Sequence, residues 1–227
     1  MSTDRHQELW TNVDAYIEDQ LIRTEPALSE AIAASAAAEL PEIAVSPCQG
    51  KLLMLLAKMC GAKRILELGT LGGYSTIWLA RGLAPGGELV TLESNPKHAE
   101  VARANIFRAG LSEMVEVRVG AALELLPRIA AEPGGPFDLT FIDADKEHMA
   151  EYFDWAVRLS RPGGGSVIIA DNVVRDGEVI DVESTDARVH GVRAFFEAAH
   201  ADPRVTVTAI QTVGVKGYDG FAVALVK

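Results

Sequence analysis

Hydrophobic positions along the chain fall into two regimes. In residues 1–60 they recur at helical spacing: Leu9, Val13, Tyr16, Ile17 and Leu21 repeat at three and four and make one apolar stripe. An alanine-rich stretch from Ser29 to Leu40 follows Pro26 and is closed by Pro41. Ser46-Pro47 opens a further helix through Met59, with proline in the first turn and Gly61 at the end. From Arg64 the pattern changes to short apolar runs alternating with helical segments. The expected strands are Arg64–Leu68, Glu88–Glu93, Val115–Val119, Leu139–Ile142, Ser166–Ala170, Val205–Gln211 and Phe221–Val226. Helices are expected over Ser75–Arg81, Lys97–Ala109, Leu123–Ile129 and Met149–Leu159, with breakers at Pro85-Gly86-Gly87, Pro133 to Pro136 and Pro162 to Gly165.

Strand–helix alternation with near-continuous apolar strands predicts a parallel, doubly wound α/β sheet. Only Val213 to Gly220 separates the last two strands, too little for a crossover helix, so they are expected to pair antiparallel. The chain thus reads as one α/β domain, 61–227, under a helical cap, 1–60. A hydrophobic fraction of 48% in 227 residues is ample for a layered core.

Charge and cysteine content narrow the function classes. A net charge of −11 at pH 7 argues against nucleic acid or an anionic membrane as partner, because both need basic patches. Cys48 and Cys60 match neither a disulfide framework nor a zinc site and read as buried small hydrophobes in a reducing compartment. Met1 to Trp10 is polar, and no apolar run reaches the ~18 residues of a membrane helix. A cytoplasmic protein is expected.

Candidate chemistry lies at the carboxyl ends of the strands, where doubly wound sheets bind ligands. The first strand runs into Glu67-x-Gly69-x-x-x-Gly73 and then a helix. A dinucleotide fingerprint would need Gly-x-Gly, which is absent, so a nicotinamide oxidoreductase is disfavoured. Glu93 ends the second strand, where a carboxylate accepting two hydrogen bonds suits a ribose, unless it is merely a solvated strand end. Asp143, Asp171 and Asn172 follow the fourth and fifth strands and supply only oxygen ligands, which suit a hard cation such as Mg²⁺ or Ca²⁺. The alternative is that Asp171 and Asn172 cap a turn while Asp143 is solvated. Lys146 is either a surface lysine or, beside a metal-bound substrate, a general base. Of the five histidines only His148 lies near these ends.

The Glu67 to Gly73 turn resembles motif I of S-adenosylmethionine-dependent methyltransferases. With Ala44 to Leu53, Gly120 to Leu123, Phe141 to Lys146 and Ala170 to Val173, nearly the whole chain is similar to the cation-dependent O-methyltransferases. That family includes catechol and caffeoyl-CoA O-methyltransferases. The resemblance implies a Rossmann-like seven-stranded sheet with the last strand antiparallel. It assigns S-adenosylmethionine to Val45, Glu67, Gly69, Thr70, Ser75, Glu93, Ala122, Asp143 and Asp145. It makes Asp143, Asp171 and Asn172 ligands of a divalent cation, Mg²⁺ before Ca²⁺ or Mn²⁺, with Lys146 as base and Asp143 beside it in the catalytic set. It further implies a homodimer and a small hydroxylated aromatic acceptor.

Two positions depart from the family pattern. Arg175 stands where a tryptophan is common, and His148-Met149 replaces Asn-Tyr. Arg175 with Arg188 or Arg193 would suit an anionic acceptor such as a hydroxylated aromatic acid. Rival readings are a methyltransferase for another acceptor, such as a hydroxamate or a macrocyclic natural product, and a non-catalytic S-adenosylmethionine-binding module.

Overall fold

The computed structural model describes residues 3–23 and 25–227. Its strands are β1 (Arg64–Leu68), β2 (Glu88–Glu93), β3 (Val115–Val119), β4 (Leu139–Ile142), β5 (Val167–Asp171), β6 (Val205–Gly214) and β7 (Gly217–Val226). They form one sheet in the order β3-β2-β1-β4-β5-β7-β6, parallel from β3 to β5, with β7 antiparallel to both its neighbours. This is the Rossmann-like arrangement expected from the alternation of elements. The order reverses at β1 and β4, which opens a crevice above their carboxyl ends.

The helices are α1 (Thr3–Leu21), α2 (Pro26–Ala37), α3 (Pro47–Met59), α4 (Tyr74–Ala80), α5 (Pro96–Arg108), α6 (Ala122–Ala131), α7 (Met149–Leu159) and α8 (Ala187–Ala201). On one face of the sheet Leu66, Leu68 and Ile142 pack against α6, α7 and α8, where Phe153 and Phe195 meet edge to face at 5.3 Å. On the other face Ile65, Leu89 and Phe141 pack against α2 to α5 through Leu53, Ala57, Ile77 and Ile106. Strands covered on both sides favour apolar residues on both faces, which is why β1 and β4 lack strict alternation, with Glu67 and Thr140 as their buried polar exceptions. Helices α2 and α3 share this second core, so the cap is packed into the sheet layer. Among the described residues no helix is long and apolar enough to cross a membrane.

Four expectations are corrected. No element was expected between β5 and β6, yet α8 fills that stretch. Its apolar stripe (Val189, Val192, Phe195, Ala199) was present in the sequence but is broken up by Gly191 and two arginines. The β6–β7 ladder continues to Gly214↔Gly217, so most of the expected connection is strand, closed by a two-residue turn at Val215-Lys216. The α1 stripe is not buried: Leu9 and Tyr16 are 57% and 69% exposed. Helix α1 is instead held by polar contacts to the hairpin. Gln7 Nε2 donates to the Gly214 carbonyl at 3.0 Å, and Asp14 Oδ2 accepts from Val215 N at 2.7 Å. Cys48 and Cys60 are free as expected but only half-buried, because α3 turns them away from its Leu53–Ala57 face.

Candidate active site

A cavity of about 1280 Å³ occupies the crevice. Its first half is built around the β1–α4 turn. Gly69 has φ 96°, and a Cβ there would drive into the carbonyl oxygen of Asp143, so the turn requires glycine at this point. Leu71 also sits at positive φ, 48°. Its N–H donates to Glu93 Oε2 at 2.8 Å, and Asn95 N donates to Oε1 at 2.9 Å. Two backbone donors thus fix the Glu93 carboxylate at the end of β2 while each oxygen keeps a free lone pair for a ligand hydroxyl. Thr70 and Thr91 hydroxyls, 2.6 Å apart, brace the turn from beneath. Val45, Thr70, Ser75 and Ala122 line this half with Gly69 and Glu93.

Glu67 does not line the cavity. It is fully buried behind the turn, where Ser75 Oγ and Thr76 Oγ1 donate to its two oxygens at 2.6 and 2.5 Å. Its position under the turn is that of a residue that orients Ser75 rather than one that touches a cofactor, a correction to the expected direct contact. Burial pushes the Glu67 carboxyl up to about 7, against the pull of the two hydroxyls. Its folded pKa therefore exceeds its unfolded one. Between roughly pH 4.5 and 7 the folded state carries the extra proton, and stability should fall as pH rises through that window, by no more than ~1.4 kcal/mol per pH unit. Urea unfolding of the ligand-free protein at pH 5 and 7.5 measures this. Asp171, raised to about 7 as well, contributes in the same window, so Glu67→Gln should reduce the slope without abolishing it, and an unchanged slope would show that Glu67 has no part in it.

The second half is built from the ends of β4 and β5. Their last paired residues are Ile142 and Ala170, so Asp143 and Asp171 come next, side by side. Asp171 is buried, and its carboxyl is pushed up to about 7 by burial and then by the charge of Asp143. Lys146 and Gln49, the latter on the first turn of α3, oppose this shift. Asn172 takes positive φ, 58°, which turns it toward the cavity it lines. Lys146 is nearly buried, and its Nζ donates to Asp143 Oδ1 at 2.9 Å. Its backbone carbonyl lies so close to α8 that position 191 tolerates only glycine. Asp145 accepts from the Tyr152 hydroxyl at 2.6 Å and from His148 Nδ1. Burial works to raise the Asp145 pKa, but these two donors outweigh it and hold the carboxyl below its usual range.

This arrangement puts an acidic, oxygen-rich pocket with one buried ammonium beside a carboxylate cradle in a single cavity. Residues 18–224 match the O-methyltransferase family. The chain belongs to that family. A catechol O-methyltransferase from Niastella koreensis is 53% identical over 98% of this chain and 100% of its own. A solved O-methyltransferase from Bacillus cereus, in complex with SAH, is 58% identical with TM-score 0.95, covering 97% of this chain and 100% of that one. A second, TomG from Streptomyces achromogenes, involved in tomaymycin synthesis and in complex with SAM, is 50% identical with TM-score 0.93, covering 97% and 98%.

In this O-methyltransferase the fit of a divalent cation is decided by donor chemistry. Asp143, Asp171 and Asn172 offer only oxygens, the preference of a hard cation. Two carboxylates crowd one ammonium there, and the upward shift of Asp171, caused first by burial, is increased by the charge of Asp143. The residues fit the ion. A further group, Asp145, Glu147 and His148, has ligand atoms within 4.8 Å of one another but is surface-facing, and His148 is already engaged with Asp145.

One rim of the cavity in this O-methyltransferase comes from the Arg175–Ile180 turn, the start of α8 and the β6–β7 tip, represented by Arg175, Arg188 and Lys216. Arg193 does not reach the cavity. Its Nε donates to the Val179 carbonyl at 2.9 Å and holds the turn from behind, so its expected role toward the acceptor is withdrawn. Leu71, Gln49, Tyr152 and Lys216 went unnoticed in the sequence. Tyr152 had a signal, standing one helical stripe beyond Asp145. Lys216 had none, because only the folded hairpin brings it to the rim.

Proposed function

We propose that this O-methyltransferase transfers the methyl group of S-adenosylmethionine to a hydroxyl of a small catechol-like aromatic with the help of a divalent cation, Mg²⁺ foremost. The observation that carries this reading is that Asp143, Asn172 and Lys146 line the same cavity as the Glu93 cradle, with the buried Asp171 carboxylate beside Asp143 on the neighbouring strand end to complete an oxygen-only trio. When bound, S-adenosylmethionine supplies an electrophilic sulfonium methyl, and the cation supplies Lewis acidity toward an acceptor hydroxyl. Asp143, Asp171 and Asn172 would hold the cation. Glu93 would take the ribose hydroxyls, and Val45, Ser75, Ala122 and Asp145 would flank the nucleoside. Lys146, having first released a proton to solvent so that its amine is neutral, would receive the proton of the acceptor hydroxyl as its oxygen attacks. Asp143, hydrogen-bonded to Lys146, would keep the amine aimed at that oxygen. Holding both reactants in one orientation supplies a large part of the acceleration.

The name of the Niastella relative supports a catechol acceptor. The Streptomyces relative, involved in tomaymycin synthesis, keeps an acceptor from natural-product synthesis as the second reading. A homodimer belongs to the proposal too, since Leu9, Val13, Tyr16 and Leu21 leave an apolar strip that a second copy would cover, and sedimentation equilibrium reads the mass directly. The decisive assay uses labelled S-adenosylmethionine with a panel of vicinal diols, in Mg²⁺ and in EDTA. Turnover should drop at least ~100-fold on chelation, by loss of the Lewis acid, and return with Mg²⁺. Chelator-resistant turnover would remove the cation from the proposal. Cofactor binding without transfer to any diol would remove the catechol.

A further inference from the structure

We propose that the acceptor of this enzyme carries a carboxylate, and that Arg175 binds it. The inference rests on the methyl-transfer reading above and names the substrate class within it. Arg175 lines the cavity three residues beyond Asn172, so it borders the same chamber as the reacting groups. Its backbone is fixed at φ 56°, and its N–H donates to Asp219 Oδ1 at 3.0 Å, the oxygen that also accepts from Val174 N and Gly220 N at 2.9 Å. The main chain there is held firmly, yet the side chain is left open. Arg175 Nε is buried and has no hydrogen-bond partner among the described residues. Nor does any carboxylate lie within ion-pairing distance of the Arg175 guanidinium among them.

A buried guanidinium donor without a partner is unfavourable, and its planar fork matches a carboxylate in a bidentate pair. The nearby acid does not fill that role. Asp186 is engaged with Arg188, whose Nε donates to both carboxylate oxygens at 3.0 Å. Two guanidinium groups thus share one acid at this rim. Lys216 adds a third positive charge opposite, its Nζ resting on the Glu42 carbonyl at 3.1 Å, a neutral partner. Acids remain close by, Asp219 on the Arg175 main chain and Glu147 and Glu178 near Arg188, so it is the unpartnered Arg175 donor, and not the local charge balance, that marks this side for an anion.

The test compares 3,4-dihydroxybenzoate with its methyl ester, which have the same ring and diol but differ in charge. The acid should have a kcat/KM at least roughly tenfold above the ester, carried by KM, as one charge-assisted pair provides. Arg175→Met should shrink the acid-to-ester ratio by about the same factor, and Arg175→Lys should restore part of it. Arg158→Gln, which removes an equal charge from the exposed face of α7, should leave the ratio alone. Calorimetry with the methylated acid and methylated ester in the presence of S-adenosylhomocysteine should reproduce the ratio as Kd values. Equal handling of acid and ester by the unaltered enzyme, or a ratio unmoved in Arg175→Met, would overturn the inference while methyl transfer stands. Failure to methylate either compound would overturn the catechol reading and this inference with it.

Discussion

Lys146→Met is expected to lower kcat for methyl transfer by ~10²–10⁴-fold, the range over which a positioned general base acts. Methionine keeps most of the aliphatic stem, so packing in this nearly buried position changes little. What is lost is the amine that donates to Asp143 at 2.9 Å and that the proposed mechanism uses as base. Removing it also leaves Asp143 and Asp171 side by side without their cation, so the ligand-free variant should be less stable. A bound divalent ion should repair that loss of stability without repairing kcat. Comparison with Lys146→Arg separates the two roles. Arginine keeps the charge but does not give up its proton. An arginine variant that retains kcat would show that Lys146 acts through its charge alone. A methionine variant with the unaltered pH–rate profile would remove it as the base.

Gly69→Ala should be the most damaging single methyl in the chain. The backbone there sits at φ 96°, and the new Cβ meets a carbonyl oxygen of the main chain, which has no flexible end to move aside. Strain in such a conformation is of order 1–3 kcal/mol before the clash is added. The expected loss exceeds ~3 kcal/mol, or a fall in Tm of at least ~6 °C for a chain of this size. Because the displaced carbonyl belongs to Asp143, cofactor and cation affinity should fall together. Gly61→Ala supplies the comparison: φ is 61° there too, but the space is open, so only the conformational penalty of about 1 kcal/mol applies. Equal melting temperatures for the two variants would mean that the β1–α4 turn yields more easily than its contacts imply.

The parts of the fold that could be read in the sequence are those where burial and local propensity agree. β1, β2 and β4 are largely buried on both faces and β3, at the sheet edge, alternates Val-Glu-Val-Arg-Val; all four match the expected strands residue for residue. Ser46 and Pro47 announced α3, and the Ser46 hydroxyl indeed accepts from Gln49 N at 3.2 Å. The elements that escaped depend on partners distant in sequence. Gly191 weakens α8 locally, yet the close approach of the Lys146 carbonyl is the reason for glycine there. The hairpin beyond Gln211 gains its order from α1, some two hundred residues earlier, through Asp14 and Gln7. In the site, Asp143, Lys146, Asp171 and Asn172 were visible because strand ends converge by topology. The direction of an arginine is not set by topology, and Arg175 and Arg193 were told apart only by which carbonyls lay within reach.

On the proposed function, the donor half of the cavity is made by β1, β2 and the start of α6, whereas the acceptor rim is made by the Arg175–Ile180 turn, α8 and the β6–β7 tip. The two halves meet at the Asp143–Lys146 segment and at the loop before α3, where Lys216 rests on the Glu42 carbonyl. Selection can therefore act on the rim as a nearly independent module. Drift at positions 175, 188 and 216 can change what is methylated while the handling of the methyl donor is inherited unaltered. The same partition makes those three positions the natural library for redirecting the enzyme to a new phenol.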